Sequence, residues 1–353
     1  MKKYFLLACA FCVFGVADAA TIQFSSPDKK LQVTVADDGG RPTYRVVCGE
    51  TVFLEQSPLG LLTNIGDFSQ GMTLQESSFS SSPVSGHYEL PTIKRSKVDV
   101  RATKAVCPFY KDGKHIFDVV FHVSDHDVAF KYKMYPQGNT LCCVVKEETT
   151  GFVLPQGTTT FLCPQAGPMG GFARTSPSYE TSYTADGEMG KNGWGNGYTF
   201  PCLFRTGNKG WVLISETGVD SRYCASRLMG KDGGLYTIGF PQEGEYNGNG
   251  TACPGIALPG ETPWRTVTVG QTLAPIVETT IPYDVVEPLY EPSCRYVYGR
   301  GTWSWIIAGD NSMNYDEQKR YVDFAADMGY ESVLVDAWWD SRAVSYTHLR
   351  AHE

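Results

Sequence analysis

Between Tyr296 and Asp340 the chain reads as strand, capped amphipathic helix and strand, and a helical crossover of that length joins neighbouring parallel strands. The first strand, about Tyr296 to Ile307, carries Trp303-Ser304-Trp305. Asn314 stands where a helix N-cap belongs, with Glu317 three residues on as its capping-box partner. Tyr321, Phe324, Ala325 and Met328 then fall at i, i+3, i+4 and i+7, one apolar stripe, and Gly329 sits at the left-handed C-cap position. The second strand, about Ser332 to Val335, delivers Asp336, Trp338, Trp339 and Asp340 just past its C-terminal end. This pattern predicts the opening βαβ unit of a (β/α)8 barrel, an architecture whose active sites lie at that edge.

Upstream, from Ile22 to about Pro282, the periodicity is two rather than 3.6. Leu31, Val33 and Val35 alternate with polar residues, Asp37-Asp38-Gly39-Gly40 turns the chain, and Tyr44 and Val46 return it. Phe117, Val119 and Phe121 lead in the same way to Val128, Phe130 and Tyr132. Tyr198 to Phe204 and Trp211 to Ile214 flank the turn Thr206-Gly207-Asn208-Lys209-Gly210. Many short strands without a fixed-period repeat predict a large antiparallel β-sandwich. The fold class expected is therefore mixed: an N-terminal antiparallel β-sandwich followed by the first βαβ of a truncated (β/α)8 barrel.

The boundaries follow. Lys2 and Lys3, an apolar run from Tyr4 to Val16 and Ala17-Asp18-Ala19 make residues 1–20 a secretory signal peptide, because the run is shorter than the roughly 20 residues that span a bilayer. The sandwich is expected over 21–283. A Pro-rich polar linker over 284–295 carries Pro288 and Pro292, and the start of the barrel follows over 296–342. Residues 343–353, with His348 and His352, match no helix or strand pattern. They resemble a translated sequencing adapter, a non-native tail outside the fold.

A net charge of -8 without a basic cluster excludes a nucleic-acid footprint. Most cysteines outside the leader sit in apolar stretches such as Pro201-Cys202-Leu203-Phe204, which reads as buried small hydrophobes with one or two disulfides rather than a disulfide framework. No C-x-x-C pair gives zinc spacing, and His122 and His126 flank a turn instead of lying on a helix. Trp264-Arg265 reads as a stacked or hydrogen-bonded anchor inside the sandwich.

The segments Ser26-Pro27-Asp28-Lys29-Lys30-Leu31, Ser57-Pro58-Leu59-Gly60-Leu61, Tyr179-Glu180, Ile214-Ser215-Glu216, Thr262-Pro263-Trp264-Arg265 and Tyr321 to Asp340 come in an order that resembles glycoside hydrolase family 97. That resemblance implies an N-terminal β-sandwich, a catalytic (β/α)8 barrel and cleavage of α-glycosidic bonds in oligosaccharides with calcium (Ca2+) in the active site. Family members include inverting α-glucosidases and retaining α-galactosidases, and glucoside against galactoside stays open here. Cleavage needs two carboxyl groups, about 6.5–9.5 Å apart for inversion and about 5–5.5 Å for retention. In the family both come from later barrel strands, so both are expected beyond Glu353, neither is named in this sequence, and the 353-residue product is expected to be inactive.

The resemblance also implies a calcium-binding glutamate from the N-terminal domain. Glu216 is the first candidate and Glu180 the second, although Glu216-Thr217 stands where the family commonly shows Glu-Ala. Position at the strand ends makes Trp305, Trp338 and Asp336 the candidate sugar-binding residues, while Trp303 and Trp339 read as packing aromatics. With the leader, these expectations describe an exported, periplasmic enzyme with no membrane span in its mature form. The competing reading is a non-catalytic carbohydrate-binding or surface-assembly β-sandwich protein.

Overall fold

A computed structural model describes residues 19–90, 93–165, 182–242, 245, 252–290 and 293–336. The chain divides into two compact units, residues 1–287 and 288–353. Residues 1–18 of the expected signal peptide lie outside the described residues, as do Glu180 and Trp338. So does the expected tail through Glu353, the residue beyond which the catalytic carboxyl groups are expected.

In the first unit the alternating patterns become sheet. Thr21–Ser25, Leu31–Ala36, Thr43–Cys48 and Thr51–Pro58 form a four-stranded antiparallel meander in sequence order. Among the described residues a ten-stranded sheet packs against it, with Lys97–Lys111, Lys114–Val123, Asp127–Met134, Trp264–Gly270, Trp211–Thr217 and Cys202–Thr206 as successive neighbours. Leu31, Val33, Val35, Tyr44 and Val46 from the first sheet share one core with Phe117, Val119, Phe121, Val128, Phe130 and Tyr132 from the second. The rings of Phe24 and Phe121 meet at 5.2 Å and those of Tyr44 and Phe130 at 5.0 Å. Each fully buried Leu, Val or Phe of this kind stabilises by about 1.5–3 kcal/mol, which is why period-two alternation governs the unit.

The hairpin around Thr206 to Gly210 forms, but its first strand starts at Cys202, not Tyr198, because Pro201 has no N–H to donate to the ladder before it. Cys107, Cys143 and Cys202 are buried thiols of the core, and burial raises the Cys143 thiol to about 11. A short helix, Ile281–Asp284, ends at the first residue of the expected linker, with Ile281 buried and Asp284 accepting a hydrogen bond from the Tyr88 hydroxyl at 2.5 Å.

Among the described residues the second unit contains one βαβ. Gly301–Trp303 pairs in parallel with Ser332–Leu334, in the register Gly301 to Ser332, Thr302 to Val333 and Trp303 to Leu334. Between them runs the helix Tyr315–Asp327. The Asn314 side chain accepts from the Glu317 N–H at 3.0 Å, as the cap predicts. Only half of the capping box forms, since the Glu317 carboxylate turns to Arg320 and the Asn314 N–H donates to the Ser312 carbonyl. At the other end Gly329 takes φ +63°. The Tyr330 N–H reaches the Ala325 carbonyl at 2.8 Å and the Gly329 N–H that of Ala326 at 3.1 Å, a Schellman cap closed by the Phe324–Tyr330 ring contact.

Two expectations need correction here. The first strand is not Tyr296 to Ile307 but three residues long, since Ser332–Leu334 offers partners only to Gly301–Trp303. Trp305 therefore lies off the strand and opens a short helix, Trp305–Ala308, whose turn closes on the Ser304 carbonyl. The apolar stripe of the long helix buries only Ala325; Phe324 and Met328 are half exposed, because two short strands are too small a sheet to cover it.

Candidate functional site

At the C-terminal edge of the parallel pair the chain assembles aromatic rings and carboxylates. Trp303 ends the first strand, and its indole Nε1 donates to Asp336 Oδ2 at 2.7 Å, two residues past the end of the second. Trp305 Nε1 donates to Asp310 Oδ1 at 3.0 Å. The two indoles lie nearly parallel, 6.0 Å between centroids and 20° between planes. Trp303 is 38% and Trp305 40% exposed, so each ring keeps surface for a flat apolar partner.

The segment is held from beneath. Ser304 and Ser312 are fully buried and share a hydroxyl hydrogen bond of 2.9 Å, while Gln318 Nε2 donates to Ser304 Oγ at 2.7 Å and the Ser312 carbonyl at 2.8 Å. The long helix thus fixes the turn that carries Trp305. Of the expected sugar-binding residues, the structure brings Trp305 and Asp336 to one edge. Trp303 and Asp310 complete the arrangement. Sequence reasoning assigned Trp303 to packing and did not single out Asp310; the aromatic spacing Trp-x-Trp was the available signal, and the carboxylate partners were not.

Glu216 lies in the first unit, in a different setting. Strand register places it directly opposite Arg265 on Trp264–Gly270. Arg265 is fully buried; its Nε donates to Glu148 Oε1 at 2.9 Å and its Nη2 to Glu148 Oε2 at 2.6 Å. Arg265 Nη1 donates to Glu216 Oε2 and, at 3.0 Å, to Ser226 Oγ. Ser226 in turn donates to Glu216 through its N–H at 2.9 Å and its hydroxyl at 2.6 Å. The Tyr223 hydroxyl adds a bond to Glu148 at 3.1 Å and its ring lies 6.0 Å from the guanidinium. Burial works against the charge of Arg265, and the Glu148 and Glu216 carboxylates together with Tyr223 outweigh it, so the guanidinium is held above its ordinary pKa. The expected Trp264-Arg265 anchor is therefore made by two glutamates, while the Trp264 ring takes Lys131 Nζ at 4.5 Å.

This geometry bears on calcium. The ion prefers six to eight oxygen ligands, yet both Glu216 oxygens are already bonded to Arg265 and Ser226. Among the described residues no three His, Cys, Asp or Glu side chains converge to hold a metal. The described residues by themselves do not fit a calcium ion.

A separate cavity of about 400 Å³ in the first unit lies between the turn Ser124 to Asp127, the strand around Arg101 and the segment Ala274 to Thr280. Its Asp127 is saturated by the hydroxyls of Ser124, Thr268 and Thr279 at 2.6–2.8 Å. No helix among the described residues is long and apolar enough to cross a membrane.

Comparison with known proteins places these features in context. The family model described as glycosyl-hydrolase 97 N-terminal matches residues 24–288. A solved structure of a β-arabinopyranosidase is 51% identical, with a TM-score of 0.84, over 94% of this chain and 52% of its own. A probable retaining α-galactosidase of Streptomyces bingchenggensis (strain BCW-1) is 31% identical over 89% of this chain and 45% of its own length. The retaining α-galactosidase of Bacteroides thetaiotaomicron is 23% identical over 96% and 53%. The chain spans about half the length of the relatives it matches.

Proposed function

This chain belongs to glycoside hydrolase family 97, and from that membership we propose that it is the N-terminal part of an exported, retaining glycosidase acting on galacto-configured pyranosides, β-L-arabinopyranosides first. The observation that carries the reading is the 51% identity to a β-arabinopyranosidase along 94% of the chain. The curated relatives, named as retaining α-galactosidases, point to the same ring configuration. A β-L-arabinopyranoside is an α-D-galactopyranoside without its C6 hydroxymethyl group, so one site accommodates both and the space around C5 sets the preference.

In a retaining mechanism one carboxylate attacks the anomeric carbon while a second carboxyl group protonates the leaving oxygen, then activates water to release the sugar. Both groups are assigned to the portion of the relatives that this chain does not span, beyond the position of Glu353. What this chain contributes is substrate placement: Trp305 and Trp338 offer aromatic faces to the apolar side of the ring, and Asp336 accepts hydrogen bonds from sugar hydroxyls. Calcium enters as a requirement of the whole enzyme, from the family resemblance, with Glu180 as the N-terminal domain's candidate and Glu216 second because Arg265 engages it.

The test uses the whole enzyme and the 353-residue product side by side. Aryl β-L-arabinopyranoside is expected to be cleaved faster than aryl α-D-galactopyranoside by the whole enzyme, with the first-formed sugar keeping its anomeric configuration in a proton NMR time course. Activity is expected to fall on chelation and return with calcium. The 353-residue product is expected to turn over neither. Faster cleavage of an α-glucoside, or inversion, sinks the reading.

A further inference from the structure

Toward the Lys97–Lys111 end of its large sheet, the first unit carries a row of aromatic rings. Thr73, Tyr110 and His115 are successive cross-strand partners, so their side chains share one face of the sheet. The His115 imidazole lies against Tyr110 at 4.8 Å between centroids and 8° between planes, and against Tyr135 at 4.2 Å. Asp118 fixes the row, sharing a hydrogen bond of 2.7 Å with His115 Nε2 and accepting from the Tyr135 hydroxyl at 2.6 Å.

His115 thus covers one face of the Tyr110 ring. The other face turns toward Thr73, the partner on the opposite side, and there a cavity of about 390 Å³ opens, lined by Thr73, Gln75, Ser78, Tyr110 and Gly113. Its walls are tied to the sheet: the Gln75 N–H donates to the Pro108 carbonyl at 2.9 Å and the Ser78 N–H to the Gln75 carbonyl at 3.0 Å. Gly113, at φ +74° in the turn between the strands Lys97–Lys111 and Lys114–Val123, adds backbone to the rim without a side chain.

The chemistry of this lining selects a ligand class. None of the five residues is charged, so an ionic ligand finds no counter-charge. The π face of Tyr110 carries partial negative charge, which suits the C–H side of a pyranose ring. The hydroxyls of Thr73 and Ser78 and the carboxamide of Gln75 suit its hydroxyl groups. Gln75 Nε2 is already bonded to Ser77 Oγ at 2.7 Å, which orients the amide with Oε1 as acceptor. A ring held in place before the ligand arrives loses little freedom on binding.

We propose that this cavity is a non-catalytic carbohydrate-binding site of the β-sandwich, in which a neutral pyranose residue of a glycan stacks on Tyr110 and hydrogen-bonds to Thr73, Gln75 and Ser78. The site holds polymeric carbohydrate and takes no part in bond cleavage. It goes beyond the glycosidase reading, which supplies only the choice of probe.

The experiment is native affinity electrophoresis of the whole enzyme through gels with and without arabinogalactan, alongside kinetics on aryl β-L-arabinopyranoside. The wild-type enzyme is expected to be retarded by the polysaccharide. Tyr110→Ala removes the platform and is expected to weaken retention about tenfold, the size of one aromatic contact. Tyr110→Phe keeps the ring and is expected to stay within about threefold of wild type. Thr73→Tyr, on the exposed edge strand Thr73–Leu74, fills the space beside the ring with a side chain that strands favour and is expected to abolish retention. All three are expected to keep wild-type kcat and KM on the small aryl glycoside. Melting temperatures identify a Tyr110→Ala protein that fails to fold, in which case Thr73→Tyr carries the test. A wild-type enzyme that is not retarded, or a Thr73→Tyr enzyme retarded as strongly as wild type, overturns the site and leaves the glycosidase reading intact. An enzyme that is retarded through Tyr110 but cleaves no glycoside overturns the glycosidase reading and supports the site.

Discussion

Arg265 and Glu148 face each other through two parallel hydrogen bonds of 2.9 and 2.6 Å, with both side chains buried and 117 positions apart in sequence. Glu148 ends the strand Cys142–Glu148, outside the ten-stranded sheet that holds Arg265, so the pair locks two sheets of the first unit together. Glu216 and Ser226 complete the guanidinium's partners.

Removing one partner of a buried pair leaves an uncompensated charge, which costs about 3–5 kcal/mol. Glu148→Ala is expected to lower unfolding stability by that amount. Arg265→Lys is expected to fare little better, since an ammonium cannot reproduce the planar two-point contact. Glu216→Gln should cost less, because Glu216 keeps 11% exposure and an amide oxygen still accepts from Ser226. Denaturant melts of the three variants give the order; equal losses contradict it.

His122 is buried on the strand Lys114–Val123, and neither ring nitrogen has a hydrogen-bond partner among the described residues. Burial lowers its pKa below the ordinary 6.5, against a smaller upward pull from Asp127. The unfolded chain therefore takes up a proton near pH 6.5 that the folded chain refuses. Stability contributed by neutral His122 is present above that pH and declines as pH falls toward the lowered folded value, by up to about 1.4 kcal/mol per pH unit. His122→Phe is expected to flatten the fall in stability between pH 7 and pH 5. An unchanged slope refutes this.

Asp284 shifts the other way: burial raises its carboxyl above the usual aspartate range, against the lowering effect of its hydrogen bonds from Tyr88 and Thr280. A raised folded pKa means that the stabilising state is the protonated one, complete below the unfolded value near 3.8 and lost as pH climbs through the folded value. Asp284→Asn is therefore expected to raise the melting temperature at pH 7 relative to wild type and to lose that advantage at low pH. Melts across this range decide it.

In the second unit the caps of the helix Tyr315–Asp327 are separable. Asn314→Ala removes the acceptor of the Glu317 N–H and is expected to cost about 1 kcal/mol. Gly329→Ala forces a Cβ into φ +63° and is expected to cost about as much. Amide hydrogen exchange of the first and last helical turns reads the two losses separately.

The difference between what local sequence determines and what tertiary structure decides is clearest at these residues. Leu31, Val33 and Val35 announce their strand because alternation is a property of neighbours two residues apart, and Asn314 and Gly329 announce their helix because capping is settled within one turn. By itself the sequence determined the β-rich first unit, the single βαβ, the family and the aromatic strand edge. Sheet order, the length of the first parallel strand and the partners of charged groups were decided elsewhere. Trp303 meets Asp336 across 33 residues and Glu148 meets Arg265 across 117, distances over which no periodicity carries information. Glu216 shows the consequence. The family resemblance made it a metal candidate, and only the cross-strand register revealed the buried guanidinium directly opposite. A carboxylate's role depends on which charge the folded chain brings to it, and that is fixed by packing, through burial and pairing, not by the residues beside it in sequence.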